Sequence, residues 1–365
     1  ILAPRLGSSR AAAPPRALPG ATRPVAQLAR TSDLQRKGQL AALVTDWYSP
    51  WPRALGRCVK GWSPELARAL GAQSADLPRS RVIALNAFGL RSRWRMKQAA
   101  RSGQLVEATC ADDQAFAERV ARLSLPNHQV FLAYSYAALE ALQAEKARGI
   151  FTLVDQIDPA RTEWEAVREE TARWPDYADP EPEAPARYFS RAEAEWQTAD
   201  VTIVNSEWSR QALVRQGADP SRLEVIPLAY EAESVPEAVP AKSQGLLTVL
   251  WLGSVILRKG IPYLIEAARQ LVGEPVRFIV AGPLGIRDEV IRQAPPNMQW
   301  LGPVPRSEAR QLYLQSDLFV LPTISDGFAI TQVEALAHGL PVIATPNCGA
   351  VVEEGRTGFL VPARD

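Results

Sequence analysis

Short apolar runs recur along the chain at the spacing of parallel strands separated by helices. In the first half they are Leu40–Thr45, Arg81–Leu85, Gln129–Tyr134, Gly149–Val154, Asp200–Val204 and Leu223–Leu228. In the second half they are 246–252, 276–281, 298–301, 317–322, 340–344 and 358–361. Runs that are apolar throughout, with no polar alternation, read as strands covered on both faces. The stretches between them carry a helical period, as in Leu90–Arg101, Ala137–Lys146, Glu207–Gln216 (with Ser206 as its N-cap) and the stretch up to Gly339. Strands alternating with helices in both halves predict an α/β chain of two Rossmann-like, doubly wound domains facing across a cleft. Glu231–Gly245 is rich in Glu, Ala and Pro without an apolar period and reads as the linker. The domains are therefore expected at 38–230 and 246–365.

The first 37 residues hold seven basic residues and one acidic, Asp33, among many Ala and Pro. Such a tail cannot build a core and is expected to be disordered, either a leader or an upstream extension. The chain begins at Ile1 and stops soon after its last strand, so its second domain is expected to be cut short.

Composition narrows the chemistry. Lys and Arg number 41 against 40 Asp and Glu, a net charge of +1, which disfavours a dedicated nucleic-acid binder. The three cysteines, Cys58, Cys110 and Cys348, suggest neither a disulfide framework nor a metal cluster and fit a reducing, cytoplasmic compartment. Only His128 and His338 are present, against a histidine-based metal site or triad. No apolar run approaches the roughly 20 residues that a membrane span needs. The stretch Arg91–Arg101, five basic residues around Trp94 with no acid, could touch an anionic membrane surface from the inner face or hold an anionic acceptor. Asp46–Pro52, an aromatic loop at a strand's carboxyl end, could stack a sugar ring on Trp47 or Trp51; packing is the alternative.

Two stretches carry candidate chemistry. In the first, Leu318–Pro322 is a strand, Ser325-Asp326-Gly327 breaks it, and a helix follows with Ile330, Val333, Leu336 and Ala337 on one face. The amides of Gly327, Phe328 and Ala329 are expected to stand free at that helix start, where the dipole favours an anion such as phosphate. Glu334 lies about two turns farther on and could reach hydroxyls beside that phosphate. In the second stretch, Gly253 turns the chain after a strand, Lys259 can set a compact charge on a diphosphate, and Gly260 and Pro262 open the next helix. This is neither GxGxxG nor a P-loop.

Together these stretches resemble the donor-binding half of GT-B glycosyltransferases, specifically the retaining family 4 (glycosyl transferases group 1). The matching residues are Gly253…Lys259-Gly260, Leu301-Gly302, Asp326-Gly-Phe…Glu334-Ala-Leu-Ala-His-Gly-Leu-Pro-Val-Ile343 and Gly349…Glu353-Glu354-Gly…Thr357-Gly-Phe-Leu-Val-Pro362. The resemblance implies a nucleoside diphosphate sugar as donor substrate, with UDP as one candidate nucleotide. It implies retaining transfer of a hexosyl group to an unknown hydroxyl acceptor, with no metal and no cofactor. The sequence also lacks a D-x-D pair. In these roles Lys259 meets the diphosphate, the amides of Gly327, Phe328 and Ala329 the phosphate or the transferred sugar, Glu334 the ribose, and Asp326 the donor sugar hydroxyls. The chain departs from the family in three places. Asp326 replaces the usual Glu. Ser254 stands where the phosphate loop often has Arg, and Arg258 either supplies that charge or points to solvent. No His occupies the first-domain strand ends, where Tyr134-Ser135 and Asp155-Gln156 stand instead. These departures keep open a non-catalytic GT-B subunit, and an epimerase on the same plan is a third reading.

Overall fold

The computed structural model describes residues 2–3, 33–48, 77–179, 184–230 and 245–365. Within them the strands are β1 (Leu2–Ala3), β2 (Leu43–Thr45), β3 (Val82–Ala84), β4 (Val130–Tyr134), β5 (Phe151–Gln156), β6 (Val201–Val204), β7 (Leu223–Val225), β8 (Leu247–Leu252), β9 (Val276–Ala281), β10 (Met298–Gly302), β11 (Leu318–Leu321), β12 (Val342–Ala344) and β13 (Gly358–Leu360). The α-helices are α1 (Asn86–Arg101), α2 (Leu105–Ala121), α3 (Leu139–Ala147), α4 (Arg161–Arg173), α5 (Ala186–Thr198), α6 (Glu207–Arg215), α7 (Ile261–Gln270), α8 (Asp288–Arg292), α9 (Arg306–Gln315) and α10 (Ile330–Ala337).

The chain packs as two compact units. One is 1–157 with 183–203 and 217–224; the other is 158–182 with 204–216 and 225–365. The second unit thus includes α4 and α6, which precede the expected linker in sequence. That linker, most of the N-terminal tail and the part of the aromatic loop bearing Trp51 lie outside the described residues.

The first unit carries a three-stranded sheet, β1-β2-β3, and a four-stranded sheet, β4-β5-β6-β7. The tail differs from expectation at its start: Leu2 and Ala3 pair in parallel with Val44 and Thr45, giving an otherwise open sheet edge its hydrogen bonds. In this unit the start of α3 is capped internally. Glu195, fully buried on α5, accepts from the amides of Tyr136 at 2.6 Å, Ala138 at 2.8 Å and Leu139 at 3.1 Å. Burial pushes its carboxyl up to about 7 against the opposing pull of the Ala138 and Tyr136 amides and of Arg191.

The second unit holds one six-stranded sheet in the order β10-β9-β8-β11-β12-β13, all parallel. Side chains alternate between its faces as strand geometry requires. Val249, Trp251, Phe278 and Val280 pack with Ile261, Leu264 and Ile265 of α7 on one face. Leu250, Ile279, Phe319, Leu321 and Val342 pack with Leu312, Tyr313 and Ala335 on the other. The chain starts in the middle at β8, builds β9 and β10 outward, then returns to place β11 on the other flank of β8. Strand order reverses between β8 and β11, and a crevice at the carboxyl ends of such a pair is where open α/β sheets take ligands.

Candidate active site

Both motif stretches emerge at that reversal. The loop after β8 runs from Gly253 to Gly260, and the loop after β11 from Pro322 to Ala329. Their close approach depends on Gly260. Its φ of +81° is left-handed, and a Cβ there would sit 1.8 Å from the carbonyl oxygen of Pro322. The main chain joins the loops directly, with the Ile324 amide donating to the Arg258 carbonyl at 2.9 Å. Gly253 is held by a bond from its own amide to the Ala281 carbonyl, and Gly282 passes so near that a Cβ would lie 1.8 Å from the Gly253 carbonyl oxygen. Pro262 occupies the first turn of α7, as expected.

The charges converge across this junction. Lys259 Nζ bonds to Asp326 Oδ2. Arg258 Nη1 lies 3.4 Å from Asp326 Oδ1, donates to the Ser325 carbonyl at 3.1 Å, and lies 3.3 Å from Glu163 Oε2 on α4. Arg258 is therefore turned inward, not to solvent. Burial opposes ionisation of Asp326, but the cations Lys259 and Arg258 outweigh it and hold the carboxyl below its ordinary range. Burial likewise opposes the charge on Arg258, and Glu163 and Asp326 more than offset it. Ser254 is half-buried at the head of the same loop.

The motif helix begins later than its sequence suggests. α10 starts at Ile330, and the Ala329 amide donates to the Cys348 carbonyl at 2.9 Å. Of the three amides expected free, Ala329's is thus taken. The cause is a second turn, Thr345–Cys348, that grips this loop. The Asp326 amide donates to the Asn347 carbonyl at 2.9 Å, and Asn347 Nδ2 returns a bond to the Ile324 carbonyl at 2.9 Å. Among the described residues the amides of Gly327 and Phe328 have no main-chain acceptor.

Glu334 is half-buried one turn into α10, its Oε2 accepting from the Tyr313 hydroxyl at 3.0 Å. Tyr313 stacks on His338 with ring centroids 5.1 Å apart, and His338 Nδ1 contacts the Glu334 carbonyl at 2.7 Å. His338 thus packs at the end of α10, and His128 pairs with Glu145 at 3.1 Å.

Other expectations fare differently. Trp47 carries Arg93 on its ring at 4.6 Å, so the described part of the aromatic loop uses that face for packing. In the basic helix α1, Arg95 pairs with buried Asp112, while Trp94 remains 62% exposed. Among the described residues no helix is long and apolar enough to cross a membrane, and no group of three metal-ligating side chains occurs. Glu163, Tyr313 and Asn347 escaped the sequence reading. Their partners lie 95, 21 and 23 residues away, and no local pattern marks them.

The family model described as "Glycosyl transferases group 1" matches residues 247–365. The chain is 29% identical over 204 residues to D-inositol 3-phosphate glycosyltransferase of Mycobacterium sp. (strain JLS), covering 50% of this chain and 46% of that protein. It is 28% identical over 174 residues to the phosphatidylinositol N-acetylglucosaminyltransferase gpi3 subunit of Schizosaccharomyces pombe, covering 45% and 38%. The chain thus spans about half the length of the curated relatives it matches, or less. Among solved structures, sucrose-phosphate synthase from Thermosynechococcus elongatus aligns with a TM-score of 0.58 at 18% identity, over 93% of this chain and 79% of that one. HepE from Anabaena, in complex with UDP and glucose, aligns with a TM-score of 0.56 at 16% identity, over 100% and 86%. Over residues 247–365 this chain is thus similar to the glycosyl transferases group 1 family, and its α/β fold is of the GT-B type.

Proposed function

We propose that this chain is a retaining glycosyltransferase that moves a hexosyl group from a nucleoside diphosphate sugar, UDP first among the nucleotides, to a hydroxyl acceptor. One observation carries the reading. Two cations, Lys259 and Arg258, converge on Asp326, directly before the Gly327 and Phe328 amides that have no main-chain acceptor, where strand order reverses, with Glu334 one turn into α10. As the glycosidic bond breaks, the leaving diphosphate gains charge. Donors already aimed at that charge stabilise it without reorganising, which is commonly the largest catalytic term. Lys259 is held by Asp326. An arriving diphosphate takes over Lys259 and frees the Asp326 carboxylate to accept from hydroxyls of the transferred sugar. Glu334, steadied by Tyr313, accepts from the ribose hydroxyls. The scheme assigns no step to a metal or cofactor.

Support comes from relatives named for glycosyl transfer and from a structural neighbour solved with UDP and glucose. Membrane contact through Arg91–Arg101 and a cytoplasmic location on the inner membrane face belong to the same reading. The test is transfer from UDP-sugars to a panel of hydroxyl acceptors, with product stereochemistry read by NMR. An α-linked product from an α-linked donor supports retention. Nucleotide binding without turnover on any donor would move the chain to the non-catalytic subunit reading.

A further inference from the structure

Helix α4 brings a charge to the donor loop that no sequence motif announces. Glu163, in its first turn, is 1% exposed. Four charged groups face it: Arg258 and Lys259 from the loop after β8, Asp326 from the loop after β11, and Asp158 from the turn leading into α4. Counting Glu163, that is three carboxylates against two cations. With every group ionised the cluster carries one surplus negative charge in a site largely closed to water. A diphosphate adds further negative charge at the same place.

Resting on the donor-site reading above, we propose that Glu163 is a positioning residue that ties occupancy of the site to a proton: it holds Arg258 before the donor arrives and takes up a proton from solvent when a nucleoside diphosphate engages Arg258 and Lys259. The geometry supports the first half, since Glu163 Oε2 and Asp326 Oδ1 lie 3.3 and 3.4 Å from the same guanidinium nitrogen. Electrostatics supports the second. Burial already pushes the Glu163 carboxyl up to about 8, with Arg258 opposing it and Asp158 and Asp326 adding to it. The charge of a diphosphate acts in the same direction as those two carboxylates. A ligand that raises a group's pKa binds with proton uptake. Below the free-site value Glu163 is protonated with or without ligand, and affinity is flat. Above it the ionised carboxylate must be neutralised, and affinity falls by up to about tenfold per pH unit.

The experiment is calorimetric titration of the whole chain with UDP, GDP, ADP and CDP at pH 8 in Tris and in HEPES, buffers of different ionisation enthalpy. The terminal phosphate of the nucleotide, with a second pKa near about 6, is already ionised there. The wild type takes up a substantial fraction of a proton per bound nucleotide, and its affinity falls from pH 8 to pH 9. Glu163→Gln, which keeps the shape but cannot titrate, loses that uptake and that pH dependence. Asp158→Asn gives a second reading: with one fewer negative charge near Glu163, the fall in affinity moves to lower pH. Nucleotide binding with equal proton uptake in wild type and Glu163→Gln, or with none in wild type, overturns the proposal and leaves the donor-site reading standing. Absence of binding by any nucleotide removes both.

Discussion

Replacing Gly260 by Ala tests the junction of the two donor loops. The new Cβ meets two separate costs. The first is conformational, since φ of +81° is left-handed and disfavours a side chain by about 1–2 kcal/mol. The second is contact: the Cβ would lie 1.8 Å from the Pro322 oxygen and 2.7 Å from its carbonyl carbon. Non-bonded heavy atoms sit best at about 3.5 Å or more, so the loops must part by more than about 1 Å. The loops can part only by stretching the bond from the Ile324 amide to the Arg258 carbonyl, now 2.9 Å, and by drawing Lys259 away from Asp326. Overpacking of this kind costs about 1–3 kcal/mol, giving a total near about 3 kcal/mol. Gly273→Ala is the control, because Gly273 has φ of +96° but open space around its Cβ position. It isolates the conformational cost. Chemical denaturation should place Gly260→Ala about 2 kcal/mol below Gly273→Ala. Titration with a nucleoside diphosphate should show roughly tenfold weaker binding by Gly260→Ala only, about 1.4 kcal/mol. Equal stability and equal affinity for the two variants would refute the claim that loop contact at Pro322 builds the site.

Three further outcomes are expected. Asp326→Asn leaves Lys259 without its buried partner and should destabilise the protein by roughly 3 kcal/mol in denaturation. The same change should tighten binding of a bare nucleoside diphosphate while slowing sugar transfer, both read by calorimetry and product assay. Tyr313→Phe removes the donor to Glu334 and should cost about 1 kcal/mol of stability, with the donor KM rising more than kcat falls. Folding stability itself should decline as pH rises toward 8. The Glu163 carboxyl is raised from an ordinary 4.5 to about 8, so between those values the folded state holds more protons than the unfolded. Its contribution is complete below 4.5 and is lost as pH rises through about 8; denaturation midpoints of Glu163→Gln over the same range should lack that share of the slope.

The strands of the second unit were legible because most are short, largely apolar runs, leaving little ambiguity in where they lie. Observed bounds such as Val276–Ala281 and Leu318–Leu321 fall on or just inside the expected runs. Ser206 caps α6 as expected, accepting from the Ser209 amide at 3.1 Å. The start of the motif helix was misread because local pattern cannot show that Ala329 is drawn toward Cys348, 19 positions on. Trp47 illustrates a similar limit: an exposed-looking aromatic loop spells a sugar platform and a cation–π contact alike, and only Arg93 of α1 decides between them. Lys259 and Asp326 were each legible as site residues. Their pairing was not, because it depends on Gly260 bringing two loops together.

The most direct test of the donor site is nucleotide binding by the wild type and Lys259→Ala, followed by heat-unfolding midpoints with UDP, GDP, ADP and CDP. A nucleotide at one hundred times its Kd stabilises by about 2.7 kcal/mol, which is readily seen as a higher midpoint. The account predicts that one nucleotide raises the wild-type midpoint and leaves that of Lys259→Ala unmoved. No shift with any of the four, or an equal shift in both proteins, would contradict it.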